Sequence, residues 1–405
     1  MRRSTRIALI FLTCASAILY ASDKPKLYVE HSFISFDYLR ESVPFLDFVR
    51  DGRQSDIHLM VTRRAAGNGG REYTLSFTGQ NRFAGLTDTL TLFTTSFDTD
   101  ETVREAFVKT LYRGLMTFLT RTELIRDFDI VYVGQDSVSV PSDDPWNFWV
   151  SRIRLSGDIS GEKSRTSHDF YGSLRVDRIT ADWKIHLTTE MNYEEDTYDY
   201  AGDRSTSIDR RQAFYSTVVK SVNDHISMGM FSEISSSTYQ NITRLYKAQL
   251  AVEYNVYPYA LSTYKSLTFR YSLGMNRYTY REITIYDRKS EYLGEHRLEM
   301  EVEFTQKWGG IDMRIRYGSH LGNLSRNRIE ARGWVSLNLA EGFSLDFGGG
   351  YSRINDQISI PRQDVSIEDI LLGRKELATE FDYWASMGIS FTFGSIFNNV
   401  VNPRF

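Results

Sequence analysis

Between Arg297 and Thr305, apolar and polar residues trade places at every position. Leu298, Met300, Val302 and Phe304 fall on one side, and Arg297, Glu299, Glu301, Glu303 and Thr305 on the other. A helical period would scatter these residues around the axis, whereas a period of two sends them to opposite faces of an extended strand. The pattern repeats in the next two runs. Ile311, Met313, Ile315 and Tyr317 alternate with Asp312, Arg314 and Arg316; Ile329, Ala331, Gly333, Val335, Leu337 and Leu339 alternate with Arg328, Glu330, Arg332, Trp334, Ser336 and Asn338. Alternation this strict, with full charges on one face, suits strands that separate two different solvents.

Weaker versions of the pattern occupy 149–160, 169–179, 183–193, 212–222, 226–235, 245–256, 267–278, 343–351 and 383–393, for about twelve strands in all. A soluble sandwich would also alternate, but strands of about ten residues or more fit a tilted crossing of a bilayer. An even count and an up-and-down antiparallel order are the habit of bacterial transmembrane barrels. The connections agree. Short ones are expected at 180–182, 223–224, 308–310 and 340–342, and long ones at 194–209, 279–295 and 355–380, which puts tight turns on one rim and loops on the other. The chain has 25 Tyr and 25 Phe but 7 Pro, with mean hydropathy −0.37. Many aromatics with so little net hydrophobicity suit a lipid face, aromatic girdles and a polar interior.

The last run places Tyr383, Ala385, Met387, Ile389, Phe391 and Phe393 on one face. It resembles the terminal strand read by the barrel-assembly machinery of bacterial outer membranes, with Tyr383, Phe391 and Phe393 as the signal. The departure is that residues 395–405 continue past it. The region 147–394 thus resembles a bacterial outer-membrane β-barrel, which implies outer-membrane lipid and lipopolysaccharide as surroundings.

Upstream, Arg2, Arg3 and Arg6 precede the short apolar run Ile7–Cys14, with small residues up to Ala21, and 1–21 is read as an export signal. Cys14 is the only cysteine, so the exported chain would have neither a disulfide nor a Cys-based zinc site. No later apolar run is long enough for a membrane helix. The formal charge of −4 gives no support for a nucleic-acid partner.

Residues 25–133 read as a separate β-α-β-β-β-α-β domain with its helices on an antiparallel-rich sheet. Strands are expected at 27–31, 56–62, 71–78, 87–95 and 129–133, with a brief helix over 44–49. Asp98 is placed to cap a second helix with Glu101 as reciprocal partner. Val103, Phe107, Leu111, Leu115 and Phe118 form its apolar stripe. The strands Ser55–Val61 and Glu72–Phe77 and the helix from Val103 to Leu119 resemble the small periplasmic domains of the Tol-system translocation protein and of curli-secretion lipoproteins. The resemblance implies a periplasmic module that docks on an envelope protein, by fold only. Residues 134–146, rich in Ser, Asp and Pro, read as a linker.

The charged lining is the candidate site. Arg152, Arg154, Glu299, Glu301, Glu303, Asp312, Arg314, Arg316, Glu330 and Arg332 all fall on the polar face, as do Lys184, Glu190, Lys247, Glu253 and Arg270. If 308–310 forms a tight hairpin, Glu303 meets Arg314, Glu301 meets Arg316, Arg314 meets Glu330 and Asp312 meets Arg332. A slip of two residues would keep the facing and change the partners. Such a lining either zips neighbouring strands together or makes a selective polar passage; the limited width of a barrel this size favours the zipped interior.

No catalytic residue, cofactor site or metal site is assigned, and the chain is not expected to be an enzyme. Ser319-His320-Leu321-Gly322-Asn323 resembles the His/Ser/Asn set of outer-membrane phospholipases, but Gly322 stands where the nucleophile belongs. Glu194, Glu195, Asp196, Asp199 and Asp203 form an acidic loop that could bind divalent or lipopolysaccharide-bridging cations, although a solvated acidic loop is the commoner case. Gly348-Gly349-Gly350 within a strand suggests a close approach of side chains or a bend. Residues 365–378 could form a loop helix over or inside the mouth. The expected function is an outer-membrane barrel with a periplasmic docking domain in a structural, assembly or anchoring role. The competing expectations are a channel or transporter for small polar solutes and, behind it, an outer-membrane hydrolase for which no complete residue set is present.

Overall fold

The computed structural model describes residues 24–30, 33–66, 70–95, 97–129, 144–200, 203–306, 308–340, 343–362 and 376–393. The export signal with Cys14, the return strand expected over 129–133, nearly all of the 134–146 linker, most of the 365–378 stretch and the 395–405 tail lie outside the described residues.

The first unit contains β1 (Lys26–Glu30), α1 (Phe36–Ser42), β2 (Asp47–Phe48), β3 (Ile57–Ala65), β4 (Arg71–Gly79), β5 (Thr87–Phe93) and α2 (Asp100–Leu119). The sheet order is β2-β1-β3-β4-β5. β1 runs parallel to both its neighbours, and the other pairs are antiparallel. The α2 stripe behaves as its spacing requires: Phe107, Leu111, Leu115 and Phe118 are buried with Leu27, Leu59, Leu75 and Phe77 in one core. Each such side chain contributes about 1.5–3 kcal/mol on burial. Gly114 lets helix and sheet approach, since a Cβ there would lie 2.2 Å from the Phe77 ring.

Two local expectations are corrected. The first helix covers Phe36–Ser42, whereas 44–49 contains the two-residue strand β2. Pro44 explains the difference, because the residue before a proline is pushed out of the helical region, and Val43 has φ −128°. The cap of α2 is Thr99, whose hydroxyl accepts from the Thr102 amide; Asp98 instead accepts from the Thr95 amide at 2.6 Å. Asp100 and Glu101 then fill the first turn, where the helix dipole favours acids, and Glu101 pairs with Arg104.

The second unit is an antiparallel sheet of twelve strands, each hydrogen-bonded to its neighbours in chain order. They are β6 (Trp149–Gly161), β7 (Arg165–Ile179), β8 (Trp183–Tyr200), β9 (Asp203–Ser221), β10 (Ile226–Ser237), β11 (Ile242–Asn255), β12 (Lys265–Tyr280), β13 (Ser290–Gln306), β14 (Gly309–His320), β15 (Asn323–Ala340), β16 (Phe343–Ile354) and β17 (Phe381–Phe391). Every strand read from alternation is present. Among the described residues no ladder joins β17 to β6.

The connections differ from expectation. Residues 194–209 are not a loop: β8 and β9 continue as a paired ribbon, with Glu194 opposite Asp209 and Tyr200 opposite Asp203. The 279–295 connection shrinks to 281–289 in the same way. A backbone ladder needs no apolar face, so polar strands can pair beyond the point where alternation ends. Of the 355–380 connection, the described residues 355–362 and 376–380 lie outside the named strands, as expected.

The two units meet at the opposite rim. The Ser76 hydroxyl lies 2.5 Å from the Tyr264 hydroxyl in the β11–β12 turn, and Arg53 Nη2 donates to the Leu339 carbonyl near the end of β15 at 3.2 Å. No described helix is long and apolar enough to cross a membrane.

Candidate functional site

The sheet is dressed in reverse of a water-soluble one. On β13, Leu298 is 48% exposed while its neighbour Glu299 is 6% exposed. Apolar side chains project freely along the same face of other strands: Met228 and Met230, Leu250 and Val252, Phe269 to Met275 at every second position, Met313 and Ile315. On β17 the exposed residues of this face include Tyr383, Met387 (68%), Ile389 and Phe391, with Phe393 just beyond the strand.

Charges on the other face form one continuous ladder across the strands. Arg270 on β12 reaches Glu253 on β11 at 3.7 Å and also contacts Glu299 on β13. The Arg316 side chain on β14 donates to Glu299 at 2.9 Å and to Glu330 on β15 at 3.0 Å. Arg328 approaches Glu330 at 3.7 Å and donates to Asp356, after β16, at 2.8 Å. A second cluster sits beside it: Glu295 accepts from Lys247 at 2.8 Å, from Asn276 at 2.7 Å and from Arg297 at 2.8 Å. Arg270–Glu253, Arg270–Glu299, Arg316–Glu299 and Arg316–Glu330 each join neighbouring strands and so clamp one to the next.

Of the lining residues expected from sequence, Glu299, Glu301, Arg314, Arg316 and Glu330 are brought together, Arg314 contacting Glu301. The partners expected for the hairpin are corrected by two residues. Gln306 pairs with Gly309, so Glu301 stands opposite Arg314, Glu299 opposite Arg316 and Glu330 opposite Arg316. The cause is the turn: Gly309, with φ +136°, already belongs to β14, and a side chain there would strike the Ser336 carbonyl at 1.9 Å. The same register sets Glu303 against Asp312 and Arg314 against Arg332, so these positions face like charge. Arg152 and Arg154 lie on the edge strand β6, opposite Arg175 and Ser173, away from the ladder. Glu295, Asp356 and His320 had not been assigned to the lining. Glu295 was legible as a further step of the β13 alternation, whereas Asp356 sits in a segment without periodicity.

The rim opposite the α/β unit is crossed by the segment that follows β16. The Ser359 carbonyl accepts from Asn241 Nδ2 at 2.7 Å, the Ile360 carbonyl from the Ile285 amide at 2.9 Å, and the Ile283 carbonyl from the Arg362 amide at 2.8 Å. Ile358 and Ile360 are buried. This strap starts at β16 and fastens to the β10–β11 and β12–β13 connections. Beneath the strap is a cavity of about 160 Å³ lined by ladder residues.

The glycine triplet also has a role. Trp334 and Trp384 pack with centroids 5.3 Å apart, and a Cβ at Gly350 would lie 2.3 Å from Trp384 Nε1. Residues 194–196 act within the β7–β9 ribbon: Asp196 accepts from Arg165 at 2.8 Å and Glu195 from the Tyr193 hydroxyl. Ser319 is 3% exposed and its hydroxyl lies 2.7 Å from His296 Nε2 on the apolar face, while His320 falls on the charged face.

No protein-family model matches the sequence, and no curated protein matches it. Among solved structures 13 chains match; one is a NanC porin at 12% identity, the alignment covering 60% of this chain and 99% of the porin with a TM-score of 0.28. The described architecture is a five-stranded α/β unit followed by a twelve-stranded antiparallel meander with one charged face.

Proposed function

We propose that the chain is an outer-membrane protein whose meander closes β6 onto β17 as a transmembrane barrel. Residues 25–133 then lie in the periplasm as a docking domain, and the molecule serves as an anchoring or assembly component of the envelope. The observation that carries this reading is the reversed dressing: apolar side chains exposed on one face and paired charges buried on the other. In water such an arrangement would leave large apolar patches uncovered and pay to desolvate ions; lipid outside and a polar lumen inside remove both problems. The strap and the cross-strand ion pairs favour a braced interior over an open passage. On the first unit, no described strand pairs with the outer edge of β5, which ends at the exposed Phe93, and this suits docking of another envelope protein. The exposed face of β17, with Tyr383, Phe391 and Phe393, suits recognition by the barrel-assembly machinery. A channel for small polar solutes is the second reading, favoured by the charge-lined cavity.

The test is electrophoresis of the detergent-purified protein with and without boiling. The unboiled protein should migrate faster than the boiled chain. Equal mobility, together with solubility without detergent, would overturn the proposal.

A further inference from the structure

Where the apolar face reaches the rim opposite the α/β unit, it carries charge that no carboxylate answers. Cross-strand register puts Arg244 on β11 and Arg277 on β12 on the same face as Leu250, Val252, Leu273 and Met275, and both arginines are exposed. Arginines of the charged face are held by carboxylates: Arg270 and Arg316 by Glu299, Arg297 by Glu295, Arg328 by Asp356. Arg244 and Arg277 form no ion pair among the described residues and meet tyrosines instead. Arg244 Nη1 donates to the Tyr246 hydroxyl at 3.4 Å, and the Arg277 guanidinium lies 5.2 Å over the Tyr292 ring. Tyr246 is also the cross-strand partner of Arg277.

Depth is an independent observation. Lys265 and Arg277 project from the same face of β12, twelve residues apart, with Leu267, Phe269, Tyr271, Leu273 and Met275 alternating between them. Twelve residues span about 40 Å of strand, which a barrel tilt of about 40° reduces to about 30 Å of depth. That matches the hydrocarbon core of a bilayer. Lys265 lies 4.5 Å over the Tyr257 ring, on the rim that meets the α/β unit. Arg277 therefore falls at the opposite head-group level.

We infer that Arg244 and Arg277, with the Tyr246 and Tyr292 hydroxyls, bind the phosphate of a lipid head group in the leaflet away from the α/β unit. The inference rests on the barrel reading above and adds a ligand to its outer surface. Charge sets the sign, because two guanidinium groups without a carboxylate call for an anion. Position sets the class: an anion at the margin of a hydrocarbon slab is a lipid head group. Shape agrees, since a planar guanidinium fork matches phosphate through two parallel hydrogen bonds. Arg244 stands opposite Thr279, so Arg277 is its diagonal neighbour, about 7–8 Å away and within reach of a shared anion. The Tyr246 hydroxyl accepts from Arg244 and keeps its own proton to donate.

The experiment uses the full-length protein, isotopically labelled at arginine and folded in zwitterionic detergent micelles. The Nε–H resonances of Arg244 and Arg277 are followed as dihexanoylphosphatidic acid is added, with Arg244→Gln and Arg277→Gln assigning the signals. Dihexanoylphosphatidylcholine, which has the same chains, and inorganic phosphate, which has none, are titrated in parallel. A saturable shift at both arginines is expected with phosphatidic acid. Arg277→Gln should weaken that binding at Arg244 about fivefold, the scale of one basic residue at an anionic membrane surface, while keeping the fast mobility of the unboiled protein. An equal response to inorganic phosphate would overturn the inference in favour of a free-phosphate site. An equal shift at Arg178, on the same face at the other rim, would overturn it in favour of general surface charge. Unchanged affinity at Arg244 in a folded Arg277→Gln protein would also overturn it. Failure of the barrel reading shows separately, as equal mobility with and without boiling. No saturable shift in protein that migrates as a folded barrel overturns this inference alone.

Discussion

Glu299 has Arg270 on one side and Arg316 on the other, and its carboxylate is almost wholly withdrawn from solvent. Removing its charge would leave two guanidinium groups short of a partner in a poorly solvated place. Breaking a buried ion pair by losing one member costs about 3–5 kcal/mol. Glu299→Gln should therefore lower the temperature at which the fast-migrating folded band disappears. Glu303→Gln should not, because Glu303 faces Asp312 and its neutralisation relieves like charge. In the first unit Tyr28 makes a pH-dependent contribution. Burial, aided by the Glu30 and Asp51 carboxylates, pushes its phenol up to about 12. The unfolded phenol ionises near its ordinary value of about 10. The stabilisation from keeping it neutral is thus complete below about pH 10 and drains away as pH rises towards about 12. Denaturation midpoints measured across that window should fall more steeply for the wild type than for Tyr28→Phe.

At the scale of elements, the outward face of the strands makes the sharpest forecast. Leu298→Lys places a charge where a leucine now projects freely. On an aqueous surface such a change stays within about 0.5 kcal/mol; near the middle of a bilayer it costs about 2–4 kcal/mol. Urea midpoints for the protein folded in lipid vesicles should separate the two outcomes. The strands themselves were legible because alternation reports facing directly. Their pairing was not, because a period of two fixes parity and leaves register to the turn, and here Gly309 joins β14 rather than the turn. The ribbon of β8 and β9 was hidden for a related reason, since polar strands pair through backbone alone and carry no apolar rhythm. The first helix was misplaced because a short segment has too few turns to show a stripe, and Pro44 was the more informative residue. The strap left no sequence signal; its anchors are carbonyl groups, which every residue has.

At the scale of the molecule, the short-turn rim meets the α/β unit and the opposite rim is strapped. Planar-bilayer recordings of the intact protein should therefore show no steady conductance. Asn241→Ala removes the side chain that donates to the Ser359 carbonyl and accepts from the Glu282 amide, and discrete openings should then become frequent. Steady wild-type conductance unaffected by that change would mean that the strap does not obstruct passage and would favour the channel reading.

The strap has a further consequence, in the order of events. It lies between β16 and β17, so it leaves the ribosome only after the strands whose loops it fastens to. The strap joins the last two strands, so the ionic rungs from β11 to β15 can pair without it, and what it adds is the cover over that rim. A chain truncated before residue 355 would have every rung from Glu253 to Glu330 and nothing to roof them.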